Sequence, residues 1–230
     1  ANVMWGTTKD EAGLFVPQYF PNPIPIQNIS VALDLIFERE RSDKLLGSPY
    51  FQPDASDPDA VRNLFTRAGS QSYFFCPVRY LARQMAAHKA TYNYRFNRGR
   101  DIPLVGDNYC STSTGRVCHS YDIQPEFGSG DAVVGFSQTG DDARFARQMI
   151  DRITTFAKTG NPNPQPGQVG VEAANPDVSG VNWPAYSNSN PIAEFNVQTT
   201  ISTNAENDVC SWIENVFLYD FWIRVPGNTP

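Results

Sequence analysis

The chain has 230 residues, 40% hydrophobic and 13% aromatic, enough to bury the core of one domain. A formal net charge of −6, with no run of lysine or arginine longer than two, excludes the electrostatic footprint of a nucleic-acid binder. No stretch approaches the roughly 20 apolar residues of a membrane span, and the first residues have neither the charged nor the apolar region of a signal peptide.

In chain order, Val3 to Thr7 reads as a short strand of β-branched and aromatic residues, followed by the charged run Lys9-Asp10-Glu11. Three prolines between Pro21 and Gln27 fix φ and remove backbone donors, which predicts a loop. Ser30 to Arg41 carries Val31, Leu35, Ile36 and Arg39 at helical spacing, and Asp57-Pro58 marks the start of a second helix running to about Arg67. A third helix starts at Cys76-Pro77 and ends near His88, with Val78, Leu81, Ala82 and Met85 as a core-facing stripe. Ala90 to Asn97 sets Tyr92, Tyr94 and Phe96 against Asn93 and Arg95, the period of a half-buried strand.

Asp141-Asp142 is expected to cap a long helix to Thr159, with Phe145, Met149, Ile153 and Phe156 on one face and Gly160 as its left-handed stop. Proline-rich and Asn/Ser-rich loops around Trp183 precede a strand at Ala193 to Val197 and a last helix from about Asn204 to Tyr219. Strands and helices alternate, the mark of an α/β fold, and no internal repeat or linker divides residues 1–230 into separate domains.

Cys76, Cys110, Cys118 and Cys210 have no CxxC spacing, and with two histidines in the chain a zinc site is hard to assemble. No metal or other cofactor is expected. The cysteines read as two disulfides, and with 18 prolines and 16 glycines they fit a secreted protein with long ordered loops. Asn28-Ile29-Ser30 matches the N-glycosylation acceptor pattern.

Two histidines make the search for chemistry short. His88 ends a helix, where a histidine ordinarily serves the last carbonyls. His119 lies outside any periodic pattern, directly after a cysteine, three residues before Asp122 and ahead of a Gly-rich loop, which suits a general base. Glu11 ends a strand, and His119 follows 108 residues later, the order of the last two members of an α/β-hydrolase triad. The first member is missing: the nearest approach to G-x-S-x-G is Gly135 to Gly140, GFSQTG, which lacks the final glycine and lies after the histidine.

These segments resemble the type B carboxylesterases, the superfamily of cholinesterases and fungal lipase-esterases. GTTKDEAGLF is similar to the family's strand-end motif, in which the glutamate is the acid of a Ser-Glu-His triad. CHSYDI resembles its histidine motif, and FFCPVRYLARQMAAHKATYNYRFN its cysteine-bearing helix and following strand. FAKTGNPN and NWPAY complete five motifs in the family's order, from about Val3 to Trp212.

The resemblance implies the C-terminal part of a single α/β-hydrolase domain, a mostly parallel central sheet with flanking helices, completed by an N-terminal portion or partner chain from the same precursor that carries the nucleophilic serine. It makes Glu11 the acid, His119 the base and Asp122 a carboxylate behind them. The pairing expected with it is Cys76 to Cys210, the family's long-range bridge to the last helix, and Cys110 to Cys118, a small loop immediately before His119. Two departures stand out: Ala12 replaces the usual glycine after the acid, and Gln124-Pro125-Glu126 replaces an apolar run after the histidine motif. The implied activity is secreted hydrolysis of a small ester or lipid. The competing reading is a non-catalytic relative, an adhesion or lectin-like carbohydrate-binding protein, against which the presence of both Glu11 and His119 argues.

Overall fold

The computed structural model describes residues 1–99, 108–129, 139–164 and 181–217. Its first element, β1 (Val3–Thr8), has the β-branched and aromatic composition of a strand, and a single 3-10 turn, Glu11–Leu14, follows it. After the proline-rich loop come two helices, α1 (Ile29–Phe37) and α2 (Arg39–Gly47), where the periodicity predicts one. The break is Glu38, whose φ of 61° takes the chain out of helical space, and the Ser42 hydroxyl ties the two helices by donating to Asp34 at 2.5 Å. The buried face of α1 is also not the expected one. Ala32, Leu33 and Phe37 are buried, while Val31 and Leu35 are 68% and 73% exposed.

Helix α3 (Ala60–Gly69) begins later than Asp57-Pro58 suggests, because the Asp57 carboxylate accepts from the Asp59 N–H at 2.8 Å and holds a turn there. Six π-helical residues, Ser70–Phe75, lead into α4 (Cys76–Ala86). Only part of the stripe expected on α4 is core: Ala82 is fully buried, Val78 and Met85 are half-buried, and Leu81 is exposed. In β2 (Thr91–Phe96), Thr91, Tyr92 and Asn93 are buried in succession. The alternation expected of a half-buried strand fails because β2 lies between two parallel neighbours, where both faces are covered.

Two helices follow, α5 (Ile123–Phe127) and α6 (Gly140–Thr159). Helix α6 is capped by Thr139 rather than by the aspartates alone: Asp142 N–H donates to Thr139 Oγ1 at 3.2 Å, and Thr139 N–H donates back to the Asp142 carboxylate at 3.0 Å. Gly160, at φ 75°, ends it as expected. The chain continues through β3 (Ile192–Phe195) and a short β4 (Thr200–Ser202) to α7 (Asn207–Trp212) and a π-helical turn, Ile213–Phe217. Tyr219 and most of the GFSQTG segment lie outside the described residues.

The chain divides into two units. One, residues 1–11 and 78–205, is built on a sheet in the order β1-β2-β3-β4, with the first three strands parallel and β4 antiparallel to β3. Phe96, Phe145, Met149, Trp183 and Phe195 fill its core, and Trp183 meets Phe195 edge-on with ring centres 5.2 Å apart. Arg152 is buried there too, which pushes its pKa down to about 10, and donates to the Val181 carbonyl at 2.7 Å.

The other unit, residues 12–77 and from Glu206 on, is helical. Phe37 stacks on Tyr73 at 5.6 Å, Phe20 lies 4.7 Å from Phe65, and a disulfide joins Cys76 to Cys210.

Candidate active site

β1 delivers Glu11 to the end of the sheet, and the 3-10 turn that Glu11 opens leaves the residue 6% exposed. A buried carboxylate needs donors, and each oxygen has one. Thr8 N–H donates to Oε1 at 2.6 Å, and Oε2 lies 2.6 Å from Nδ1 of His119. An ionised carboxylate can only accept, so Nδ1 carries the proton and the tautomer is set. The two residues therefore meet from 108 positions apart, while His88 sits exposed in the turn after α4.

The chain leading to His119 is held from the same strand end. Asp10 N–H donates to the Val117 carbonyl at 2.9 Å, within a parallel bridge between Asp10 and Cys118, and Val117 N–H donates in turn to the Asp10 side chain, Oδ2, at 2.9 Å. A disulfide joins Cys110 to Cys118, and the Tyr121 hydroxyl donates to the Cys110 carbonyl. Directly after His119, Ser120 adopts φ 72°, a left-handed conformation that a serine takes only when its surroundings force it.

The imidazole is 41% exposed. Its pKa lies above the ordinary histidine value, first because of the hydrogen bond to Glu11, with the charges of Glu11 and Asp122 adding to it and partial burial opposing it. Asp122, half-buried just ahead of α5, has its own carboxyl pushed up by burial and by the charge of Glu11, with His119 pulling it back. This arrangement can take a proton at Nε2 and stabilise the resulting cation at Nδ1.

Two contributors carry no sequence signature. The Thr8 donor is a backbone group. Asp10 sits in the same charged run as Glu11, with nothing in the run to separate them.

The departure at Ala12 is accommodated by Gly69. A Cβ at Gly69 would come 2.7 Å from the Ala12 methyl, so the side chain gained at one position is matched by its absence at the other. Among the described residues, no group of three or more His, Cys, Asp or Glu is arranged to hold a metal ion, and no helix is long and apolar enough to cross a membrane.

The model of the carboxylesterase family matches residues 1–213. The chain belongs to the carboxylesterase family. Among solved structures, this chain is similar to a PNB esterase, with a TM-score of 0.60 and 19% identity over 90% of this chain and 37% of that one. It is equally similar to a thermophilic PNB esterase, with a TM-score of 0.60 and 20% identity over 91% and 38% of the two chains. The shared fold is the α/β-hydrolase, and the chain spans a little over a third of the length of those esterases. No curated protein sequence matches it.

Proposed function

We propose that this chain supplies the acid and the base of a Ser-Glu-His triad in a secreted carboxylic ester hydrolase. The observation that carries the reading is the 2.6 Å contact between Glu11 Oε2 and His119 Nδ1 in a chain of the carboxylesterase family. The nucleophilic serine comes from an N-terminal portion or partner chain of the same precursor. His119 Nε2 removes the serine proton as Oγ attacks the ester carbonyl, and Glu11 stabilises the imidazolium. Collapse of the tetrahedral intermediate releases the alcohol, which takes that proton. A water, deprotonated by the same nitrogen, then hydrolyses the acyl-enzyme.

Both disulfides support folding in an oxidising compartment, and Asn28 is exposed ahead of α1, where a glycan could be carried. The test is hydrolysis of a short-chain nitrophenyl ester by the complete protein and by its His119→Ala variant. A drop of several orders of magnitude in turnover is expected. Unchanged hydrolysis would make the histidine structural, and an intact protein without hydrolytic activity would belong with the adhesion and carbohydrate-binding relatives.

A further inference from the structure

His119 is held on its N-terminal side by Asp10 and by the Cys110–Cys118 bridge. On its C-terminal side the chain passes through Ser120 and Asp122 into α5, whose first turn carries Glu126. Glu126 lies in the segment that departs from the family's apolar run, and a carboxylate there calls for an explanation.

The structure supplies a partner. Tyr94 Oη donates to Glu126 Oε1 at 2.6 Å. Tyr94 belongs to β2 and is paired in register with Gly6 of β1, the strand that leads to Glu11. Its ring lies directly over Gly6: a Cβ on that glycine would stand 1.8 Å from Tyr94 Cζ. Only glycine leaves the ring this path across β1 to the helix beyond it. Burial pushes the phenol well above its usual pKa, and the charges of Glu126, Asp122 and Glu11 push it further, so Tyr94 remains a donor. Glu126, itself raised by burial and by Asp122, is drawn back by the Tyr94 bond and accepts.

We propose that Tyr94 and Glu126 are positioning residues for His119: their hydrogen bond, passing over Gly6, ties α5 to the strand pair that carries Glu11. The Glu11–His119 contact and the Tyr94–Glu126 contact close one ring of structure, with β1 and β2 on one side and the segment from His119 to Glu126 on the other. Without the second contact α5 loses its tie to the strand pair that carries Glu11, and the imidazole samples orientations in which Nδ1 and the carboxylate do not align. The inference rests on reading Glu11 and His119 as acid and base.

The test uses the complete protein and two readouts. The first is the far-downfield proton resonance of an imidazole N–H bonded to a carboxylate, which is assigned by its loss in Glu11→Ala. Tyr94→Phe and Glu126→Leu should each broaden or abolish it, while Glu126→Gln, whose side-chain oxygen still accepts from the phenol, should keep it. The second readout is kinetic. Tyr94→Phe and Glu126→Leu should lower kcat by about 10- to 100-fold with KM unchanged, the scale of a small misplacement of a catalytic group, and the double variant should be no worse than either.

A resonance that persists in both Tyr94→Phe and Glu126→Leu overturns the proposal, and so does a loss in Glu126→Gln equal to that in Glu126→Leu. If Tyr94→Phe does not fold, Glu126→Leu, at a half-exposed helical position, decides alone. A wild-type protein without esterase activity would defeat the functional reading, yet the resonance would still report whether Tyr94 and Glu126 hold the histidine.

Discussion

Thr8 donates its backbone N–H to Glu11 Oε1 at 2.6 Å, so the strand that delivers the acid also orients its carboxylate and leaves the second oxygen for His119. Glu11→Gln retains the shape but presents an amide group that can donate where only acceptance is wanted. The wrong imidazole tautomer is then favoured, and kcat should fall by about 10³- to 10⁴-fold with little change in KM. Steady-state ester hydrolysis by the complete protein measures this, and a loss under tenfold would contradict the assigned role of the acid.

A base must be neutral to work. The hydrogen bond to Glu11 and the charge of Asp122 favour imidazolium, so the acid limb of kcat/KM should have its midpoint above the ordinary histidine value of 6.5. Asp122→Asn removes a negative charge, which lowers the pKa and moves the limb toward lower pH. The same shift bears on stability. Because the folded pKa is raised, the contribution is fully present below the unfolded pKa and is lost as pH rises through the folded one. A pH-rate profile that Asp122→Asn leaves in place refutes the electrostatic link.

Ser120 holds φ 72° beside the base. Glycine reaches that conformation freely, whereas a β-branched residue does not, so Ser120→Val should cost about 1 to 3 kcal/mol of stability. Ser120→Gly should be close to neutral, since relief of strain is offset by the greater freedom of glycine in the unfolded chain. Thermal melting of the two variants checks this, and equal midpoints would show that the backbone there carries no strain.

Gly69→Ala would force its new methyl against Ala12, whose Cβ stands 2.7 Å from that position. Overpacking of this kind costs about 1 to 3 kcal/mol. The second-site change Ala12→Gly should recover most of it. Denaturant titration of both single variants and the double variant tests the pair, and strictly additive effects would mean that the two sites do not meet.

How far the chain could be read from its letters depended on the reach of each interaction. Glu11 and His119 stood out because a chain with two histidines has few candidates, and because a charged run at a strand end and a loop histidine beside a cysteine are local features. Long helix α6 was legible from its apolar face and from Gly160. The face of α1 was not, because Ala32, Leu33 and Phe37 satisfy a helical period as well as Val31 and Leu35 do, and only packing decides between them. Nor was the break at Glu38, where neither glycine nor proline announces it. Tyr94 reads as one more aromatic of a strand until the register with Gly6 shows where its ring goes.

The bridge from Cys76 to Cys210 encloses a sequence separation of 134 residues, and that segment contains Tyr94, His119 and Glu126. A protease that cuts once inside this span opens the backbone without dividing the molecule. On a non-reducing gel the nicked protein keeps its mass, and only a thiol reductant separates the fragments. Re-pairing of the two pieces is an intramolecular event whose rate does not depend on concentration, so after a cut between Cys76 and His119 the piece bearing the base cannot be diluted away from the piece bearing the acid while the bridge is intact.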